Sequence, residues 1–316
     1  MTTPRTLLYR HPDFTGHDMT PHPENPERVR AINAELDRRA LLADRSRPHW
    51  NPASDDTILR AHDRSLLDRL EHLTAAGGGE IDLDTRVLPD SLSVARIAAG
   101  AGIHAVDTIL AGESDTAFVL GRPPGHHATK SRSMGFCLLN TVAIAATHAL
   151  ASGLARVAII DWDVHHGNGT QDIFAARSDV LYCSIHQYGN IFPGTGAASE
   201  RGQGPGAGYT LNVPLAPGSS GHAIVSALET TIVPAVRNFR PDLILVSAGY
   251  DAHEADPLGG LRATEQDFRR IARLMRTLAD ETTGGRLIAI LEGGYNPAVL
   301  ARCVADTIEI FDTPLL

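Results

Sequence analysis

Apolar runs rich in β-branched residues recur along the chain, separated by amphipathic or alanine-rich stretches. Such runs are typical of strands that are buried on both faces of a parallel sheet. The alternation predicts an α/β fold: one domain over residues 1–316, doubly wound around a mostly parallel sheet with helices on its flanks. The apolar runs begin near residues 6, 116, 157, 180, 243 and 287. Helical spacing marks residues 29–36, 65–73, 92–110, 140–152, 221–239 and 264–280, and a last helix that starts at Asn296.

Local signals refine this prediction. Thr264 and Asp267 have the spacing of a capping box, and Pro234 predicts a kink in its helix. Residues 187–208 are rich in glycine and proline and predict a long loop, a feature that is usually functional in a compact domain. Residues 80–90 predict an acidic, solvated loop that could reach the rim of a site.

Polar side chains follow the third apolar run, in the stretch ARVAIIDWDVHHGNGTQ. Asp161, Asp163 and His165 are spaced by two, so an extended chain presents their side chains on one face just beyond the strand's carboxyl end. Ligands of open α/β sheets bind in that crevice. Taken alone, such a triplet is usually a solvated polar loop.

Other predicted strands end in similar chemistry. The turn RPPGHH presents His126 and His127, the run PDLILVSAGYD ends at Asp251, and the run RLIAILEGGY ends at Tyr295. The carboxyl ends of parallel strands meet at one edge of the sheet, so these groups predict one active site.

The donor types indicate a metal. Asp163, His165 and Asp251 would supply one nitrogen and two carboxylate oxygens and leave a position open, as in a catalytic zinc site. Iron(II) or cobalt would fit the same donors. The three cysteines are far apart and form no Cys-x-x-Cys pair, so they predict neither a zinc ribbon nor a disulfide framework. A metal beside a histidine pair and a tyrosine suits attack of water on a carbonyl group.

Composition narrows the partners. The net charge of −9, from 28 basic and 37 acidic residues, argues against nonspecific binding to nucleic acid or an anionic membrane. No apolar run reaches the roughly 20 residues of a membrane span, and the N-terminal segment lacks the apolar core of a signal peptide. We therefore expect a cytoplasmic protein, which could be oligomeric.

Six sequence blocks, in order, resemble the signature blocks of the histone deacetylase superfamily, and the resemblance runs from HPENPERV near His22 to about residue 310. Trp162 and Asn168 resemble the class II branch, which includes bacterial histone-deacetylase-like amidohydrolases and acetylpolyamine amidohydrolases. The resemblance implies an arginase/deacetylase-like fold. The blocks are RPPGHH (122–127), GFCLLN (135–140), DWDVHHGNGTQ (161–171), FPGTG (192–196), AGYDAHEADPLGG (248–260) and LEGGY (291–295).

The resemblance also implies catalytic roles. His127 would be the general base and acid, and His126 its electrostatic partner, oriented by Asp161. Tyr295 would donate a hydrogen bond to the oxyanion. Asn168 departs from relatives that have an aspartate there, and should leave His127 less basic, because an amide orients an imidazole without stabilising its cation.

Further residues are implied to bind substrate and potassium. Phe136 and Phe192 resemble the walls of a narrow tunnel, with Gly135 at its side. Leu258 lies at a position that, in polyamine-selective relatives, resembles a glutamate gatekeeper. One potassium ion would be bound by the Asp161 side chain, the backbone oxygens of Asp163 and His165, and Ser184. A second would be bound by the backbone oxygens of Phe174, Arg177, Val180 and Tyr209.

These features predict a zinc-dependent deacetylase that removes acetyl or other short acyl groups from acylated amines. The expected substrate is an acetylated lysine peptide, and the alternative is an acetylpolyamine or another small acetylated amine. A two-metal ureohydrolase would need further carboxylates near Asp163 and Asp251, where only His253 and Asp256 are added. A non-catalytic acyl-lysine binder would have no need of His126, His127 and Tyr295.

Overall fold

The computed structural model describes residues 5–313. Residues 1–4 and 314–316, at the two ends of the predicted domain, lie outside the described part. The strands are β1 (Leu7–Tyr9), β2 (Gly79–Glu80), β3 (Arg86–Val87), β4 (Thr116–Val119), β5 (Val157–Asp161), β6 (Val180–Gln187), β7 (Thr210–Leu215), β8 (Leu243–Ala248) and β9 (Leu287–Leu291). The α-helices are α1 (Glu27–Arg38), α2 (Asp55–Ile58), α3 (Arg64–Ala75), α4 (Ser91–Leu110), α5 (Thr141–Ala151), α6 (Asn168–Phe174), α7 (Gly221–Ala227), α8 (Val233–Phe239), α9 (Glu265–Thr282) and α10 (Pro297–Phe311).

One seven-stranded sheet has the strand order β1-β4-β9-β8-β5-β6-β7, and every neighbouring pair is parallel. Six of its strands match the apolar runs, so the predicted parallel sheet is confirmed. The strand β7 was not predicted, because most of its residues are only half buried and it contains Pro214, which is tolerated at a sheet edge. The hairpin of β2 and β3 was also missed, since it lies in the acidic stretch 80–90.

Helices cover both faces of the sheet. Ile160 and Val246 pack in the apolar layer formed with α9 and α10, whereas Ile159 and Leu245 pack in the layer formed with α4 and α5. Fully burying a side chain of this size stabilises the fold by roughly 1.5–3 kcal/mol. Burial on both faces explains why these strands have apolar residues in succession instead of at alternate positions.

Two of the predicted helix starts are confirmed. In the capping box of α9, Asp267 N donates to Thr264 Oγ1 at 3.4 Å and Thr264 N donates to Asp267 Oδ2 at 2.9 Å. The Asn296 side chain caps α10 by accepting a backbone N–H from its first turn. These caps satisfy donors that an isolated helix end would leave unpaired.

The predicted helix over residues 221–239 is divided. It consists of α7, a π-helical turn at Leu228–Ile232, and α8. Pro234 lies in the first turn of α8 and has no N–H to continue the hydrogen bonding of the preceding helix, so the predicted kink takes this form. Within residues 5–313, neither this segment nor any other helix is both long and apolar enough to cross a lipid bilayer.

The strand order brings four loops together. The strands β4, β9, β8 and β5 are neighbours at the centre of the sheet, so their carboxyl ends lie along one edge. The polar residues predicted to meet there are carried by these ends. They are His126, His127, Asp161, Asp163, His165, Asp251 and Tyr295.

A buried ion cluster attaches the loop before α1 to the turn after β4. Both carboxylate oxygens of Glu24 accept hydrogen bonds from Arg122, at 2.6 and 2.7 Å, and Arg28 donates to the same carboxylate at 3.1 Å. All three side chains are buried. Arg122 also donates to the carbonyl oxygens of Phe14 and Gly16, both at 2.9 Å, so it fixes the loop as well as the carboxylate.

This cluster generates a prediction about acid stability. Burial alone would raise the pKa of Glu24, but Arg122 and Arg28 outweigh burial and lower the pKa from 4.5 to about 2. A carboxylate whose pKa is lowered on folding contributes stability that is fully present above pH 4.5 and is lost as the pH falls towards 2. Glu24→Gln should therefore make the decline of unfolding free energy with falling pH shallower, by up to about 1.4 kcal/mol per pH unit in that window.

The measurement is urea denaturation at a series of pH values below 5. Near pH 7, Glu24→Gln should lower the free energy of unfolding by roughly 3–5 kcal/mol, because it leaves buried guanidinium groups without a carboxylate. If the free energy of unfolding falls equally steeply with pH in the wild type and the variant, Glu24 does not cause the loss of stability in acid.

Candidate active site

A pocket of about 240 Å³ opens at the carboxyl ends of the central strands. Most of its lining residues were predicted from the sequence. Asp84 belongs to the acidic stretch that was expected near the rim, whereas Ile191 was not predicted. The lining residues are Asp84, His127, Gly135, Phe136, His165, Ile191, Phe192, Leu258 and Tyr295.

The predicted metal ligands meet at the base of this pocket. His165 Nδ1 lies 3.1 Å from Asp163 Oδ1 and 3.1 Å from Asp251 Oδ2. One donor atom from each residue lies within 4.8 Å of the others, and both carboxylates are fully buried. Two buried carboxylates without a positive charge between them would be costly. The donors therefore fit a cation, and one nitrogen with two oxygens suits zinc.

Backbone N–H groups fix the orientation of the two carboxylates. Gly293 N donates to Asp163 Oδ2 and Val164 N donates to Asp251 Oδ1, both at 2.8 Å. A Cβ atom on Gly293 would lie 2.1 Å from Asp251 Oδ2, so a glycine is required at this close approach. The glycine after β9 is thus part of the support of the predicted metal ligands.

The electrostatics of this group show a demand for positive charge. Burial opposes the charged form of His165, but hydrogen bonds to Asp163 and Asp251 outweigh it and raise its pKa to about 10. Burial and the neighbouring Asp163 raise the pKa of Asp251 to about 7. The converging carboxylates thus stabilise a cation at this position.

The histidine pair lies beside this group. The two rings are 4.0 Å apart, and each Nδ1 has its own partner. His126 Nδ1 donates to Asp161 Oδ2 at 3.0 Å, and His127 Nδ1 donates to Asn168 Oδ1 at 2.8 Å. This arrangement directs both Nε2 atoms away from their partners, and His127 reaches the pocket.

The two histidines differ in charge. Burial opposes the charged form of His126, but Asp163 and Asp161 outweigh it and raise its pKa well above 6.5. Burial, followed by the positive charges of His126 and His165, lowers the pKa of His127 well below 6.5. The buried pair therefore combines a protonated imidazole with a neutral one.

Tyr295 reaches the pocket from the loop after β9. Its backbone N–H donates to Asp256 Oδ2 at 2.6 Å, and the Arg28 guanidinium lies 4.9 Å from the centre of its ring. Burial raises the pKa of Tyr295 well above 10, so its hydroxyl remains a hydrogen-bond donor.

Two phenylalanines form walls of the pocket. The Phe192 ring packs edge-on against His127 at 4.9 Å, and the Phe136 ring packs against Tyr295 at 5.7 Å. Gly135 has a positive φ of 56°, and a Cβ atom there would lie 2.6 Å from Phe192 and 2.7 Å from His127. Only glycine fits between this wall and the histidine.

Comparison with known proteins agrees with this geometry. A family model for the histone deacetylase domain matches residues 22–311. The chain belongs to the histone deacetylase family. The family predicted from the six sequence blocks is therefore confirmed, and membership makes the chain a deacetylase-type hydrolase whose family uses a metal cofactor.

Relatives and a solved structure support the same conclusion. The chain is 43% identical to the histone deacetylase-like amidohydrolase of Pseudomonas aeruginosa, over 91% of this chain and 76% of that protein. It is 38% identical to a probable deacetylase of Archaeoglobus fulgidus, over 92% and 81% of the two chains. The crystal structure of an HDA15 HD domain superposes with a TM-score of 0.92 at 35% identity, covering 97% of this chain and 90% of that one. The predicted deacetylase-like α/β fold is confirmed.

The residues implied to bind potassium lie on and around β6. The register of β5 and β6 places Asp161 opposite Ser184, whose Oγ lies 2.8 Å from His186 Nδ1. In the second set, Arg177 N donates to the Phe174 carbonyl and Tyr182 N donates to the Tyr209 carbonyl, both at 2.9 Å. Val180 begins β6. Both potassium sites stay predictions.

Two buried groups near the histidines had no predicted role. Glu292, in the LEGGY block, is fully buried against the turn that carries His126. Cys137 is also buried, and its Sγ lies within 4.8 Å of a ring nitrogen of His126 and of a carboxylate oxygen of Glu292. Burial, followed by Glu292, raises the pKa of the Cys137 thiol well above 9, so it remains a thiol. The LEGGY block was a signal for Glu292, but its contact with the turn depends on the strand order.

Asn168 generates a prediction about pH dependence. A carboxylate at the 2.8 Å contact with His127 would stabilise the imidazolium, so Asn168→Asp should raise the pKa of His127. A general base acts in its neutral form, and a higher pKa therefore moves the acidic limb of kcat/KM to higher pH. The measurement is the pH profile of hydrolysis of an acetylated amine.

The control is Asn168→Ala, which removes the hydrogen bond without adding charge. It should lower kcat without moving the acidic limb upwards. If the pH profile of kcat/KM for Asn168→Asp coincides with that of the wild type, the ionisation of His127 does not determine the acidic limb.

Proposed function

We propose that this protein is a zinc-dependent deacetylase that hydrolyses the amide of acetyl-lysine or a related short-chain acyl-lysine. One observation carries the proposal: His165, whose donor atom lies within 4.8 Å of those of Asp163 and Asp251, lines the same pocket as His127 and Tyr295. An amide carbonyl placed there would face a base, a hydrogen-bond donor and three metal ligands.

The residues present fit a zinc ion. Asp163, His165 and Asp251 would bind it, and it would supply Lewis acidity to the amide carbonyl and to a water molecule. Iron(II) or cobalt(II) would fit the same donors. The thiol of Cys137 is outside this set, because burial favours its protonated form.

The chain's own residues would move the protons. His127, with its Nδ1–H bonded to Asn168, presents the lone pair of Nε2 to the attacking water and accepts its proton. The same nitrogen then returns the proton to the leaving amine. His126 stays charged beside it, bonded to Asp161. Tyr295 donates a hydrogen bond to the carbonyl oxygen as negative charge develops.

The walls of the pocket favour an uncharged stem. Phe136, Phe192 and Leu258 present apolar surface around the route to His127. Moving the methylene chain of an acylated lysine from water to this apolar surface would be favourable. An internal ammonium of an acetylpolyamine would leave water at Leu258 without a compensating carboxylate. Asp84, at the same pocket, is the feature that favours an acetylpolyamine substrate.

A two-metal ureohydrolase and a non-catalytic binder find less support. In a two-metal ureohydrolase, His253 would have to turn towards Asp163 and Asp251, but its Nε2 lies 3.1 Å from Glu265. Asp256 accepts backbone N–H groups from Leu258, Tyr295 and Asn296. A non-catalytic binder would not need the neutral base and the phenol donor. We further propose the two potassium sites, a cytoplasmic location and small or peptide acetylated amines as partners, without nucleic acid or membrane.

Metal removal tests the zinc assignment. A chelator should abolish turnover of an acetyl-lysine peptide, and zinc should restore it at about one ion per chain, because the three ligands form one site. Asp251→Asn should lose most of the bound zinc. Cys137→Ser, which alters the nearest buried sulfur, should keep it. The measurement is metal content by mass spectrometry alongside turnover.

Two results would count against this assignment. Turnover that survives with no detectable metal would exclude metal catalysis. Two zinc ions per chain would favour a two-metal ureohydrolase.

Substrate selectivity tests the acyl-lysine assignment. The kcat/KM for an acetyl-lysine peptide should exceed that for acetylspermidine by about tenfold or more, since an unpaired buried polar group costs roughly 1–3 kcal/mol. Leu258→Glu should narrow the gap by supplying a carboxylate. Asp84→Asn is the matched control for the acidic loop and should not narrow it. Equal or inverted constants in the wild type would favour an acetylpolyamine as the substrate.

A further inference from the structure

Glu292 is a buried carboxylate at the end of β9 that lies outside the predicted metal ligands. Its side-chain Oε2 accepts two hydrogen bonds from consecutive residues, from Gly125 N at 2.7 Å and from His126 N at 3.1 Å. The residue is fully buried. Two N–H groups that converge on one carboxylate oxygen form a charge-assisted contact stronger than an ordinary hydrogen bond.

The backbone of Glu292 is itself held in place. Its N–H donates to the Ala248 carbonyl at 3.1 Å, and its carbonyl accepts a hydrogen bond from the Arg28 guanidinium. The carboxylate is therefore attached to a rigid part of the sheet. Glu292 can therefore hold the turn in a fixed position relative to the sheet.

The turn needs such an acceptor. Pro123 and Pro124 have no N–H, so Gly125 and His126 are the first backbone donors after them. Both residues are buried, and a buried N–H without a partner costs roughly 1–3 kcal/mol. In the next peptide unit, the His126 carbonyl accepts hydrogen bonds from Gly169 N at 3.0 Å and Thr170 N at 3.1 Å. Both the N–H and the carbonyl group of His126 are therefore held by hydrogen bonds.

We propose that Glu292 is a positioning residue of the reaction: its carboxylate oxygen fixes the backbone of Gly125 and His126, and thereby the direction in which the adjoining His127 presents its base nitrogen. This inference rests on the proposed function, in which His127 is the base. The essential property is the acceptor oxygen. Both hydrogen bonds go to Oε2, whereas Oε1 has no hydrogen-bond partner among residues 5–313.

The charge of Glu292 is secondary to this role. Burial raises the pKa of Glu292 to about 7, and an oxygen that accepts both N–H groups is present in either protonation state. An amide oxygen can take the same place. Glutamine should therefore preserve the clamp, and a side chain of similar length without an acceptor should not.

The test compares Glu292→Gln with Glu292→Met in the full-length protein loaded with zinc. Glu292→Met removes the acceptor with little change of volume, and should lower kcat for an acetyl-lysine peptide at least tenfold, with KM within about twofold and about one zinc per chain. Glu292→Gln should keep kcat within about threefold of the wild type. Asp306→Asn is the matched control, because Asp306 is a buried carboxylate bonded to Arg39 at 2.6 Å and Arg269 at 3.0 Å, on α10. It should lower Tm and leave kcat within about twofold.

Hydrogen exchange of the segment that contains Gly125 and His126 gives a measurement that does not depend on turnover. Protection should fall in Glu292→Met and be retained in Glu292→Gln. If Glu292→Met does not fold, Glu292→Asp keeps the charge but is one methylene too short to hold the turn, and it should show the same loss of protection and kcat.

The possible outcomes separate this inference from the proposed function. Wild-type protection and kcat in the variant without an acceptor would overturn the positioning role. Loss of kcat in Glu292→Gln as large as in Glu292→Met would also overturn it, since charge would then be the essential property. A wild-type protein that hydrolyses no acetylated amine would retire the proposed function, while the exchange measurement would still decide whether Glu292 clamps the turn.

Discussion

Four carboxylates are buried around the carboxyl ends of β5, β8 and β9, and the arrangement of the site depends on how their charges are compensated. An unpaired buried carboxylate costs several kcal/mol, so each one needs a cation or convergent N–H groups. Asp161 has an imidazole and Glu292 has two backbone amides. Asp163 and Asp251 share the His165 side chain; Asp163 also accepts the backbone N–H groups of Gly293 and His165, and Asp251 accepts that of Val164. His165, which the last pair shares, lines the pocket, so a metal ion held by these three residues would lie beside it.

The same charges separate the two histidines of the RPPGHH turn. His126 faces the carboxylates, which raise its pKa, whereas burial and the neighbouring His126 lower the pKa of His127, whose Nδ1 faces an amide. Adjacent residues of one type therefore acquire opposite properties from their partners. Asn168 contributes to this difference, because an amide oxygen fixes the imidazole without supplying a negative charge. The division gives one residue that stabilises negative charge and one that can accept a proton.

The precision of this arrangement comes from rigid neighbours. The sheet is buried on both faces, and the first residues after its central strands β5 and β8 are the predicted metal ligands. The acidic hairpin and the loop with Phe192 supply the mouth of the pocket, where Phe192 remains 37% exposed. The cluster of Glu24, Arg28 and Arg122 attaches the loop before α1 to the turn after β4, which carries the histidine pair. The base of the site is therefore buried among packed elements, whereas its mouth is formed by more exposed loops.

The sequence by itself determined the parallel sheet, the family, and most of the residues that line the pocket, because a strand buried on both faces is mostly apolar and the crevice beyond its carboxyl end collects the polar groups of a site. Continuous apolar runs carry that information locally. The strand β7 was not predicted because it lies at the edge of the sheet, contains a proline and is only partly buried, so it lacks the continuous apolar run of a central strand. The tertiary structure alone decided which distant groups touch. Gly125 and Glu292 are 167 residues apart in the sequence, and they meet because the helices pack so that β9 lies beside β4. It likewise decided that Asp84 reaches the pocket, that Arg28 and Arg122 share Glu24, and that His126 and His127 differ in charge. Each of these depends on strand order and burial, which are properties of the packed molecule and not of any one segment.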